Sequence, residues 1–158
     1  MDDIAVARVI HILGVVVWIG GVALVTSVLL PAVRGFKAPA ERVAFFEAVE
    51  RRFARQARVA TLFVGLSGLY MIARLDLWDR FADPSYWWMH AMVALWAIFS
   101  LMLFVLEPLF LHRWFLRRAE RAPEATFALV ARLHWVLLTL SLVTVAGAVA
   151  GAHGWLWF

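Results

Sequence analysis

Four apolar runs, at residues 4–30, 59–78, 86–111 and 133–152, constrain this chain more than any other feature. Each is close to the roughly 20 residues that a helix needs to cross about 30 Å of hydrocarbon. In lipid every backbone N–H and C=O must be satisfied within the protein, which makes helices the expected form of such runs. The expected fold is therefore all-α: an integral membrane four-helix bundle, up-down-up-down, occupying residues 1–158 as a single four-span transmembrane domain. Composition agrees, because 65% of the 158 residues are hydrophobic and 16% charged, against about 45 to 50% and about 25% in an ordinary soluble domain. The spans and their connections use nearly the whole chain, so no separate soluble domain is expected.

Charge sets the expected orientation. Arg34, Lys37, Arg42, Arg51, Arg52, Arg55 and Arg58 lie between the first two runs, and Arg113, Arg117, Arg118, Arg121 and Arg132 between the last two. By the positive-inside rule these loops are cytoplasmic and both termini lie outside, N-out and C-out, as in a bacterial-type inner membrane protein. The other side carries Arg8, Arg74 and Arg80 among Asp2, Asp3, Asp76, Asp79 and Asp83. The net charge of +4 is thus read as topology rather than as a nucleic-acid surface, and no nucleic acid is expected as a partner. The acidic start at Asp2-Asp3 and the length of the first run point to an uncleaved span rather than a signal sequence. Residues 40–58 repeat Val43, Phe46, Val49, Phe53 and Ala57 at helical spacing, which predicts a cytoplasmic helical extension of the second span whose charges lie over lipid headgroups. Asp83-Pro84-Ser85 predicts the start of the third helix, followed by an aromatic belt of Tyr86, Trp87 and Trp88. Small residues at Gly65 and Gly68, and at Gly147 and Gly151, predict close helix packing or the face of a homo-oligomer.

Ionisable groups within spans are costly, which makes each a candidate for function. Cysteine is absent, so a metal or haem depends on His, Met, carboxylate or backbone. His11 lies about two turns into the first span, with Arg8, Gly14 and Trp18 on its face. His90 lies just over a turn into the third span from the same side, and His153 near the end of the fourth. Imidazole suits haem iron. The set predicts haem b, with His11 and His90 as axial ligands, Arg8 paired with a propionate, room for the macrocycle at Gly14, and Trp18 in the core beneath. The competing reading makes each histidine an interface residue bonded to a neighbouring helix. Met89, Met92 and Met71 with His11 and His90 are the donors of a copper alternative. Glu107, His112 and His134 form a possible second cluster at the cytoplasmic end, with Glu107 protonated or paired with a loop arginine and Pro108 freeing a backbone carbonyl. No nucleophile elbow, phosphate loop or zinc-protease helix occurs.

Arg8-Val9-Ile10-His11 followed by Val15-Val16-Val17-Trp18-Ile19-Gly20-Gly21 resembles the first span of the CopD copper-resistance domain and of the HemJ-type protoporphyrinogen oxidases. The similarity continues through Val49-Glu50-Arg51-Arg52-Phe53, Ala60-Thr61-Leu62, Gly65-Leu66-Ser67-Gly68 and Trp88-Met89-His90-Ala91. It implies a helical membrane protein, with haem b and porphyrinogen oxidation on the HemJ side and copper handling on the CopD side. The HemJ pattern has Lys two residues after the histidine of the third span, where this chain has Met92; the Gly20-Gly21 pair is closer to CopD. The leading expectation is a haem b protein in electron transfer or an oxidase reaction, an oxidoreductase acting on a porphyrinogen or a quinone-like donor. Copper binding or transport is the first alternative, and a cofactor-free membrane subunit of a larger complex the second.

Overall fold

A computed structural model describes residues 2–35 and 39–155, without the side chains of Pro39, Ala40 and Ala44. Lys37 lies outside the described residues. These residues are all helical apart from short turns, with no strand among them. The first rod joins α1 (Asp2–Leu24) through a π-helical turn, Val25–Leu29, to α2 (Leu30–Arg34). Then α3 (Pro39–Arg74) runs unbroken. Two short 3-10 turns, Trp78–Phe81 and Pro84–Tyr86, lead to α4 (Trp87–Leu101). A π-helical stretch, Met102–Leu111, links α4 to α5 (His112–Arg121), and α6 (Pro123–Ala152) completes the chain.

Four segments are long and apolar enough to cross a membrane: Asp2–Arg34, Glu41–Arg74, Pro84–Arg121 and Pro123–Ala152. At 1.5 Å per residue each reaches roughly 45 Å or more, which overruns the ~30 Å hydrocarbon core and carries their ends into the headgroups. Their outer surfaces are apolar: no more than 28% of any span window is buried inside the protein, and Leu13, Val16, Leu66, Phe110 and Leu142 are all more than half exposed. A soluble monomer shows apolar patches of only a few hundred Å². Lipid is the medium that accommodates this surface.

The contacts of α1 descend along α3 as the chain ascends α1: Asp3 meets Tyr70 and Arg74, His11 meets Val64 and Ser67, and Gly21 faces Phe53. The two helices are therefore antiparallel. At Gly14 an added Cβ would lie 2.7 Å from Val64 Cγ2, so the absent side chain is what permits this approach. Tryptophans of α4 use the other glycines. Trp96 lies against Gly65, where a Cβ would fall 2.6 Å from its ring, and its Nε1–H donates to the Thr61 carbonyl at 2.9 Å. Trp87 lies against Gly147 in the same way, and Trp88 against Gly151. At Gly65, Gly68, Gly147 and Gly151 a side chain of the same chain fills the space, which is the close helix packing that these small residues predict. The aromatic belt is corrected: Trp88 is buried, because Gly151 opens a slot for its indole, while Tyr86 holds Arg80 over its ring at 4.9 Å.

Two cores follow. Trp18, Val22, Ala60, Val64, Leu95 and Phe99 pack mid-bundle. A second core at the Arg-rich end gathers Val33, Phe46, Phe115 and Phe127, whose three phenyl rings lie 5.4 to 5.9 Å apart. The 40–58 extension is one helix with the second span, as its spacing predicts. Its apolar face is sealed by α2, α5 and α6, leaving Arg51, Arg52 and Arg55 outward.

Candidate functional site

Two layers of ionisable groups lie at opposite ends of the spans. In the layer nearer the N-terminus, α1 and the small residues of α3 position His11. Its Nδ1 sits 3.0 Å from the Val64 carbonyl and 3.2 Å from Ser67 Oγ. A carbonyl only accepts, so Nδ1 carries the hydrogen, and in the neutral ring the lone pair belongs to Nε2. Gly68 lets the ring lie on the α3 backbone, with a hypothetical Cβ 3.2 Å from His11 Cε1. Ligating histidines in general donate their second ring N–H to a carbonyl or carboxylate, which fixes tautomer and orientation.

The other residues of this layer are placed differently. Trp18 is 4% exposed and meets Phe99 edge to face at 4.9 Å, with its Nε1–H lacking a hydrogen-bond partner among the described residues. Arg8 is exposed one turn before His11. The room beside Gly14 is taken by Val64, so it seats helix packing rather than a macrocycle. His90 is exposed on α4 with its ring 5.3 Å from Phe81, and makes no hydrogen bond among the described residues. Met89 is buried while Met92 and Met71 are half-buried, so Met89 and its neighbour His90 face different surroundings. His153 bonds the Val149 carbonyl of its own helix at 2.8 Å. Among the described residues no three His, Asp or Glu side chains converge as a metal site.

At the Arg-rich end, Pro108 determines the chemistry. It lies in the π-helical stretch, where N–H groups bond five residues back, as His112 does to the Glu107 carbonyl. Proline has no N–H, which leaves the Leu103 carbonyl without its donor. Arg58 Nε supplies one at 2.9 Å, and Arg58 Nη2 forms an ion pair with Glu107. The expected pairing of Glu107 with a basic residue is thus present, with both side chains 30% exposed. His112 turns instead to Glu47, Nδ1 to Oε1 at 3.6 Å, and His134 bonds the Val130 carbonyl one turn back in α6. The three residues grouped by sequence have three separate partners. Glu47 was not expected here. The signal lay in its distance from Arg58, since eleven residues is close to three helical turns and puts both on one face of α3.

Comparison with known proteins finds no matching family model, no matching curated protein and no matching solved structure. The fold and these two layers define a multi-pass helical membrane protein.

Proposed function

We propose that this protein is a haem b protein of the bacterial inner membrane, an up-down-up-down bundle with both termini outside and the Arg-rich end cytoplasmic, acting in electron transfer or an oxidase reaction. The observation that carries the reading is the hydrogen bond from His11 Nδ1 to Val64, which leaves Nε2 as the unprotonated nitrogen a ferrous or ferric iron requires. The resemblance of its short motifs to HemJ-type and CopD proteins supports it, because those motifs carry histidine where this chain has His11 and His90.

The donor set fits one firm ligand. His11 is held by the α1–α3 seam, and His90, exposed and without a hydrogen bond among the described residues, would be the second. The haem would supply one-electron redox chemistry. Arg8, exposed a turn away, provides a cation for a propionate, and Trp18 closes the core below His11 against water. Val64 occupies the space at Gly14, so the residues that would hold the group are those facing away from the α1–α3 seam.

A reduced-minus-oxidised spectrum of the protein expressed with haem supply tests this. Soret and α bands are expected in the parent and lost in His11→Ala, while His90→Ala shifts the band positions. Absence of the bands in the parent would overturn the proposal, and stoichiometric copper without iron would replace haem with copper as the ligand.

A further inference from the structure

Apart from the histidine layer, the Arg-rich end holds a cavity of about 220 Å³ between the first rod and α6, lined by Thr26, Leu30, Arg34, Ala131, Arg132 and Trp135 among others. Arg34 ends α2, and Arg132 comes from the first half of α6, so two helices far apart in sequence each bring a guanidinium to one opening. Both are exposed, and neither has a carboxylate partner among the described residues. The cavity is smaller than the roughly 300 to 1,000 Å³ that holds a drug-sized ligand. A porphyrin does not fit it.

The lining has a direction. Thr26 stands eight residues before Arg34, about 12 Å deeper along its rod, and Trp135 lies about 4.5 Å deeper than Arg132 along α6. The Thr26 hydroxyl donates to the Val22 carbonyl at 2.6 Å, and Thr26 and Leu30 are fully buried, so the apolar surface open beside the arginines is the half-exposed Trp135, continued by Val136 and Leu140 further along α6. Cations therefore sit at the head of an exposed apolar strip made by the indole of Trp135, Val136 and Leu140. That gradient matches a phosphodiester over an acyl chain, since guanidinium binds phosphate oxygens in pairs and tryptophan favours the membrane interface. A free phosphate would use the guanidinium groups and leave the apolar strip idle.

We infer that this cleft binds the headgroup of one anionic phospholipid, with Arg34 and Arg132 on the phosphate and the acyl chain along Trp135, Val136 and Leu140. The site is independent of the haem reading and works from whichever leaflet the Arg-rich end faces.

The test uses the full chain in nanodiscs of phosphatidylcholine with phosphatidylglycerol as a minor component, followed by native mass spectrometry of retained lipid. One phosphatidylglycerol per chain is expected, retained with a preference of roughly tenfold or more over phosphatidylcholine, in line with about a kcal/mol of attraction per arginine. The double variant Arg34→Gln/Arg132→Gln loses that preference. Arg51→Gln/Arg52→Gln removes the same charge from the same end and keeps it. Equal retention by the two double variants would overturn the site. Displacement of the lipid by millimolar inorganic phosphate, itself then retained, would overturn the lipid assignment. Thermal unfolding in pure phosphatidylcholine, expected to match among all three proteins, separates lost binding from lost folding.

Discussion

At the scale of single residues, the bundle is organised by pairs in which one partner is a glycine. Gly65 accepts the Trp96 ring, Gly151 the Trp88 indole, and Gly68 the His11 imidazole. Lipid supplies no hydrophobic drive between apolar helices, so van der Waals contact and polar bonds across such seams carry their association. Trp96 is also tethered through Thr61, which limits how far its ring can retreat. Gly65→Ala should cost about 1 to 3 kcal/mol by overpacking. In the double variant with Trp96→Leu the two losses should fall short of their sum, because the second change removes the ring that the first one strikes. Unfolding of the purified variants in detergent measures both, and strictly additive losses would mean that Gly65 and Trp96 act apart. None of these pairings was legible in the sequence. Glycine positions were visible, but which ring fills each depends on the register between helices 30 or more residues apart.

Among the helical elements, the two π-helical stretches decide where polar groups meet. Thr26 and Ser27 return their hydroxyls to the Val22 and Ala23 carbonyls, a habit that bends helices, and the first stretch spans them. In the second, Pro108 orphans the Leu103 carbonyl and Arg58 repairs it from α3. Arg58→Ala removes both that donor and the partner of Glu107. Leaving such groups unmatched costs about 1 to 3 kcal/mol, and the 30% exposure of both side chains puts the loss in the lower half of that range. Glu107→Gln keeps an acceptor for Arg58 and should cost less. Detergent unfolding compares the two, and equal losses would show that charge alone, rather than the carbonyl, holds Arg58. Hydropathy located all four spans, and the Asp83-Pro84-Ser85 signal located the cap of the 3-10 turn that leads into α4, where the Asp83 carboxylate accepts the Ser85 N–H at 2.9 Å. Hydropathy placed the ends of the spans less well. The second helix stops at Arg74 because the chain reverses through Asp76 at φ 49 with a Leu77 N–H bond to the Ile72 carbonyl, and the fourth begins at Pro123, ten residues before its apolar run. Bond register, which makes a π-helix, leaves little trace in hydropathy.

For the molecule as a whole, the two ends differ in kind. One end ties Asp3 to Arg74 and Tyr70 at the surface, beside a histidine half-buried in a helix seam. The other carries most of the arginines, a phenylalanine core and a cavity with two guanidinium groups that have no carboxylate partner among the described residues. The sequence showed this asymmetry as clustered arginines, and it showed His11 as a polar group in an apolar span. It did not show that α3 holds the ring by one nitrogen, since Val64 enters through its backbone and has no side-chain signature. That bond is the centre of the functional account, and solid-state NMR of the haem-free protein in bilayers, labelled with ¹⁵N-histidine, reads it directly. The account predicts that His11 carries its proton on Nδ1, leaves Nε2 unprotonated, and shifts at Nε2 when haem is added. A proton on Nε2 in the haem-free protein, or a ring exchanging freely between tautomers, would contradict it.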